Sequence, residues 1–186
     1  ENAHSIPGSL HVAKDGSIQS SIRIGKKTIP RDHPDFAGLQ LLNYYLGGFF
    51  GSRLMKNLRE EKGLTYGISS SVHPFRYDCA LLIGTDVNKE NRNLAIEEIL
   101  NEIRNLERID EHELELARRH FIGSLQGEMA SPFSILNKVK NIELHGLDPS
   151  YYSQLIKTID TISTDELQSL AKRYFAEGTF HTVSIG

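Results

Sequence analysis

Residues 47–66, Gly-Gly-Phe-Phe-Gly-Ser-Arg-Leu-Met-Lys-Asn-Leu-Arg-Glu-Glu-Lys-Gly-Leu-Thr-Tyr, constrain this chain more than any other stretch, because they read in order as loop, capped helix, glycine stop and strand start. Ser52 is positioned to cap the helix by accepting a backbone N–H bond. Leu54 and Leu58 give that helix an apolar stripe, and Gly63 suits the left-handed position that ends it. Arg59 then sits on the last helical turn and Tyr66 begins the next strand. The chain reverses between them, so a guanidinium and a phenol are expected to face one cleft.

The flanking sequence supplies a sheet and a set of helices. From Ser17 to Gly25 the apolar Ile18, Ile22 and Ile24 alternate with Gln19, Ser21 and Arg23, the period of a half-buried strand. A shorter strand around Leu10 and Val12 is expected to pair with it. Asp32 and Pro34 open a helix carrying Phe36, Leu39, Leu42 and Leu46, which Gly47 and Gly48 end. Strands over 66–72 and 78–87, joined by the short 73–77 connection, are expected to pair antiparallel.

Beyond residue 90 the pattern is helical. Ile96, Ile99, Leu100, Ile103 and Leu106 form a stripe that must meet the sheet. Asp110 with Glu113 reads as a capping pair for a helix bearing Leu114, Ala117, Phe121 and Leu125. Ser131 before Pro132 and Asp148 before Pro149 each read as a cap before a first-turn proline, and Ser163 with Glu166 as a similar start. A strand over 179–185 closes the chain. The expected fold is therefore α+β, a two-layer sandwich of helices packed on a mainly antiparallel β-sheet. Residues 1–8 read as a tail or linker remnant and 9–186 as a single domain.

Composition narrows the function classes. The 21 basic and 24 acidic residues leave a net charge of −3, and Lys and Arg are scattered, which removes the electrostatic basis for a nucleic-acid partner. No apolar run approaches the length of a membrane span. The lone Cys79 lies in an apolar strand and reads as a small buried hydrophobe rather than a nucleophile. A chain that starts at Glu1 without a signal-like segment is expected to be a processed product or an excised piece of something longer, with its compartment open.

The string Leu46-Gly47-Gly48, Ser52-Arg53-Leu54, Leu58-Arg59-Glu60 and Gly63-Leu64-Thr65-Tyr66 resembles the M16 zinc metallopeptidases of the pitrilysin and insulinase type, which include the mitochondrial processing peptidases. The likeness is to the C-terminal, substrate-binding half of their paired domains. It extends more weakly from about Gly16 to the C-terminus. The resemblance implies that Arg59 and Tyr66 reach across to a zinc ion carried by an N-terminal domain or partner subunit, and contact the backbone and polarised carbonyl of a peptide substrate. It further implies a substrate-binding role for the Gly47, Gly48, Ser52 and Arg53 region, with Arg53 and Glu60 in orienting or ion-pair roles. Read without it, Arg59 fits a surface ion pair with Glu60 or Glu61, Tyr66 a ring packed at a strand start, Gly47 and Gly48 a helix stop and Ser52 a cap.

No zinc site is expected in this chain. Enzymes of this type bind zinc through His-x-x-Glu-His, and the eight histidines do not supply that string. The nearest approach, His112-Glu113-Leu114-Glu115-Leu116, has leucine where the second ligand is required. A separate metal site at His112, Glu115 and His120 is the weaker alternative, since these read as solvated helix surface. Two functions remain: the substrate-binding half of a zinc endopeptidase, inactive alone, or a non-catalytic structural or peptide-binding subunit of the same fold.

Overall fold

The computed structural model describes residues 6–75, 78–176 and 178–186. Its strands are β1 (Ser9–Val12), β2 (Gln19–Thr28), β3 (Ile68–Pro74), β4 (Cys79–Asn88) and β5 (His181–Ile185). Its α-helices are α1 (Phe36–Gly47), α2 (Arg92–Arg104), α3 (Glu111–Glu128), α4 (Pro132–His145), α5 (Tyr151–Thr161) and α6 (Thr164–Tyr174), and a π-helix covers Met55–Glu61. The strands form one sheet in the order β1-β5-β2-β4-β3, antiparallel at every step except β1 with β5. The α+β sandwich is thus present.

Alternation decides which face of the sheet is covered. Ile22 and Ile24 of β2, Ile68 of β3 and Leu81, Ile83 and Val87 of β4 are buried, whereas Arg23, Ser69, His73 and Asp86 point to the open face. The covered side joins a single apolar cluster with Leu39, Leu42 and Leu46 of α1, Leu58 of the π-helix and Ile99 and Ile103 of α2. Each such fully buried aliphatic side chain stabilises the fold by roughly 1.5–3 kcal/mol.

Several local expectations are corrected. The Ser9–Val12 strand pairs in parallel with β5, because β5 inserts beside β2 and takes the edge that β1 was expected to occupy. Ile18 precedes the strand and is exposed, and β2 runs on to Thr28. Helix α1 starts at Phe36 rather than near Asp32: Asp35 holds the N-cap position without capping, since its carboxylate accepts from the Tyr174 hydroxyl at 2.6 Å and Arg173 at 2.8 Å. Strand β3 is shifted two residues along, so that His73 and Pro74 belong to it and Tyr66 does not. Of the 73–77 connection, Arg76 and Tyr77 lie outside the described residues, as do residues 1–5 of the expected tail.

The helix starts follow their chemistry unevenly. Asp110 accepts from the Glu113 backbone N–H at 2.9 Å, but the Glu113 carboxylate turns away to Lys56 instead of closing a reciprocal pair. Pro132 occupies the first turn of α4 while Ser131 makes no side-chain cap. Pro149 stays outside α5, where Asp148 holds the Ser150 backbone N–H at 2.8 Å. At α6 the capping box is complete, with Ser163 and Glu166 each satisfying the other's backbone N–H. Replacing Ser163 with alanine should therefore lower stability by about 1 kcal/mol, read as a shifted urea midpoint with an unchanged slope.

Candidate functional site

The segment that carries Arg59 is wound as a π-helix rather than the α-helix its spacing suggests. Lys62 N–H bonds back five residues to Asn57 C=O at 3.0 Å, and the run closes where Leu64 N–H reaches Leu58 C=O at 2.8 Å across Gly63, whose φ is +60°. Such wide turns are frequent at functional sites. The apolar side of the helix is anchored by the fully buried Leu54 and Leu58. On its polar side Arg53 meets Glu102 at 2.7 Å, Asn57 bonds Glu98 at 3.1 Å and Glu102 at 2.8 Å, Lys62 pairs with Glu98 at 2.5 Å and Lys56 with Glu113 at 2.7 Å. The helix is therefore fastened to both α2 and α3.

Arg59 takes no part in that fastening. Its guanidinium lies 4.4 Å from the centre of the Phe50 ring, a cation–π contact that orients the side chain while leaving its donors available. Tyr66 sits in the bend between Gly63 and β3 rather than at a strand start, and is 96% exposed. The bend itself is held firmly. Thr65 Oγ1 donates to Asp86 C=O at 2.8 Å and accepts from Thr85 Oγ1 at 2.9 Å, while Thr85 Oγ1 also lies 2.9 Å from Gly67 C=O. Thr65 in the bend and Thr85 on β4 thus set the position from which the phenol projects.

Arg59 and Tyr66 line one concavity of about 420 Å³, with Gln19, Gly63, Thr65 and Asp86 also at its wall. It opens at the end of the sheet where β2 begins and β4 finishes. A larger hollow of about 730 Å³ lies elsewhere, between the start of α1 and helices α5 and α6, and contains neither residue.

Gly47, Gly48, Ser52 and Arg53 are not gathered with this pair. Gly47 is buried where α1 meets β3, and a Cβ there would stand 2.8 Å from the Ser70 backbone nitrogen. A Cβ on Gly48 would stand 2.6 Å from Tyr44 Cα. Both glycines thus permit close packing of α1, at its own last turn and against β3. Ser52 is buried and its hydroxyl has no partner, so the expected side-chain cap is absent; its backbone C=O accepts from Lys56 N–H instead. Arg53 is held by Glu102 and by the Tyr45 hydroxyl at 3.3 Å.

Comparison with known proteins agrees with this architecture. The family described as the peptidase M16 inactive domain matches residues 3–121. The chain belongs to that family. An uncharacterized zinc protease, YmxG, of Bacillus subtilis is 28% identical over 88% of this chain and 41% of its own length. The Helicobacter pylori protein named non-peptidase homolog YmxG is 28% identical over 75% of this chain and 33% of its own length. A crystal structure of a peptidase M16 inactive domain from Pseudomonas fluorescens superposes with a TM-score of 0.89 at 25% identity, covering 97% of this chain and 43% of that one. The chain therefore spans about two fifths of the length of the curated relative in Bacillus.

For an M16 inactive domain the location of metal ligands matters. Among the described residues no group of three His, Cys, Asp or Glu side chains is arranged to hold a metal ion. The alternative set on α3 is occupied otherwise: His120 Nδ1 meets the Tyr44 hydroxyl at 2.6 Å, and Glu115 pairs with Arg119 at 2.7 Å and Arg118 at 3.3 Å. Among the described residues no helix is long and apolar enough to cross a membrane.

The fastening of the Arg59 helix is predicted to be acid-sensitive. The Lys62 ammonium holds the Glu98 carboxyl below its ordinary value; burial opposes it, and the Asn57 amide adds a smaller lowering. A carboxylate with a depressed folded pKa stabilises above its unfolded pKa and loses that contribution as pH falls through the folded one. Glu98→Gln should therefore cost about 1 kcal/mol at pH 7, and the gap to the wild type should close on acidification below the ordinary glutamate pKa, as read from urea midpoints across pH.

Proposed function

We propose that this M16 inactive domain, one domain over residues 9–186, is the substrate-binding half of a zinc-dependent endopeptidase whose His-x-x-Glu-His lies on another domain or subunit. The observation that carries the reading is the shared concavity: a guanidinium steadied on Phe50 and an exposed phenol converge at one end of the sheet. Zinc on the opposing half would supply the polarised water for attack. Arg59, with fixed planar donors, binds a substrate carbonyl. The Tyr66 O–H donates to the oxyanion that develops as water attacks, an interaction worth about 3–4 kcal/mol in comparable sites. Gly47, Gly48, Ser52 and Arg53 act one step back, by fixing where α1 ends and how the Arg59 helix is held.

An extended peptide would run beside the sheet. Strand β3 is its last strand in the described residues, with β4 on one side, and it faces the same end of the molecule as the Arg59–Tyr66 concavity. Main-chain bonding to such an edge is a standard mode of peptide capture. The second reading, a peptide-binding subunit without chemistry, is favoured by the non-peptidase name of the Helicobacter relative.

The two readings separate by experiment. The zinc-bearing half, supplied as a partner or in one polypeptide, is mixed with this domain and assayed on a quenched peptide. The endopeptidase reading expects turnover that falls about 100- to 1,000-fold in Arg59→Ala and in Tyr66→Phe, with melting temperatures unchanged. Peptide binding without turnover in the wild type selects the second reading, and wild-type rates in both variants remove the assigned roles.

A further inference from the structure

Seven buried side-chain polar atoms among the described residues lack a hydrogen-bond partner, and three of them, Nε and Nη1 of Arg31 and the Tyr151 hydroxyl, belong to two residues that line one cavity. An unpaired buried donor typically costs about 1–3 kcal/mol, and a charged one more. Their coincidence is a chemical feature of the site rather than scattered imperfection. The cavity has a volume of about 280 Å³ and lies between the β2–α1 connection and the start of α5. Apolar residues Phe36, Leu147 and Leu155 contribute to its wall. It sits at the other end of β2 from the Arg59–Tyr66 concavity, and a ten-residue strand spans roughly 30 Å.

The local charges define what fits. No described residue forms an ion pair with Arg31. Asp148 lines the cavity but is turned to the backbone and hydroxyl of Ser150, and Asp32 is exposed at the rim. His33 Nδ1 is engaged by the Asp35 backbone N–H at 3.0 Å. His145 is kept toward its neutral form by burial and by the Arg31 charge. The guanidinium is therefore the fixed positive charge of the cavity. Burial pushes the Tyr151 phenol up to about 12, so its O–H remains a donor at neutral pH.

We propose that this cavity binds a small organic monocarboxylate, its oxygens held by the Arg31 guanidinium and the Tyr151 hydroxyl and its short apolar part packed against Phe36, Leu147 and Leu155. A guanidinium and a carboxylate form charge-assisted hydrogen bonds about twice as strong as neutral ones. A dianion is disfavoured, because its second charge would stand beside Asp32 and Asp148. The volume lies just below the roughly 300–1,000 Å³ of pockets for drug-sized ligands, which limits the apolar part to a few carbons or one ring.

Calorimetric titration of the 186-residue chain with butyrate, benzoate and inorganic phosphate tests this. The expected result is saturable one-to-one binding of butyrate or benzoate, with phosphate at least tenfold weaker. Arg31→Gln should weaken carboxylate binding by roughly tenfold or more and Tyr151→Phe by roughly threefold, both with wild-type circular dichroism. The proposal is overturned if neither carboxylate saturates at tens of millimolar, if phosphate binds equally well, or if both variants bind as the wild type does. Should Arg31→Gln fail to fold, Tyr151→Phe decides alone: weakened binding supports the site and unchanged binding removes it.

Discussion

The seam between α1 and β3 is the constraint on which the rest of the site depends. Asn43 on α1 donates to the Ser70 carbonyl at 3.2 Å and accepts from the Ser70 hydroxyl, both residues buried, so the two side chains find their hydrogen bonds in each other's residue. A buried pair of this kind is costly to separate, because each group would lose its partner without gaining water. Gly47, one turn along, lets the helix backbone approach the same residue of β3. The end of the helix before Arg59 and the strand after Tyr66 are thereby tied to one point.

From that point Arg59 and Tyr66 are carried outward by different devices. Arg59 rides on a π-helix bound to α2 and α3 through five charged or amide contacts, while Tyr66 projects from a bend secured by Thr65 and Thr85. Neither the guanidinium nor the phenol is used in these attachments. Their attachments leave the donors of both side chains unused, which is the organisation the proposed site requires. Beyond the opposite end of β2 stand a second guanidinium and phenol with unpaired buried polar atoms, Arg31 in the β2–α1 connection and Tyr151 at the start of α5. Two polar openings thus lie beyond the two ends of one strand, one of about 420 Å³ beside Arg59 and Tyr66 and one of about 280 Å³ beside Arg31 and Tyr151.

Much of this was legible in the residues because periodicity reports burial. Ile22 and Ile24, the α1 stripe and the Ile99–Ile103 face are buried as their spacing implies, and Ser163 with Glu166 forms the expected cap. What spacing does not carry is pairing between distant segments. The four residues of β1 are all exposed, so no apolar pattern specified a register, and its partner β5 is supplied from the other end of the chain. The π-helix was hidden for a related reason: one additional residue per turn leaves Leu54 and Leu58 on the same buried side that an α-helix gives them. Ser52 has the composition of a cap but is drawn into the core, and Arg31 stood in a loop whose cavity exists only after α5 folds against it. The match over residues 3–121 fixed the family without fixing any of these details.

The central claim is that Arg59 and Tyr66 act together on a group brought by another half. It is tested most directly by a crystal structure of the full-length protein with a phosphinate peptide, which mimics the tetrahedral intermediate of hydrolysis. The account predicts that the Arg59 guanidinium and the Tyr66 hydroxyl each donate to that ligand at about 2.7–3.1 Å. A ligand bound with both side chains out of hydrogen-bonding reach would contradict it.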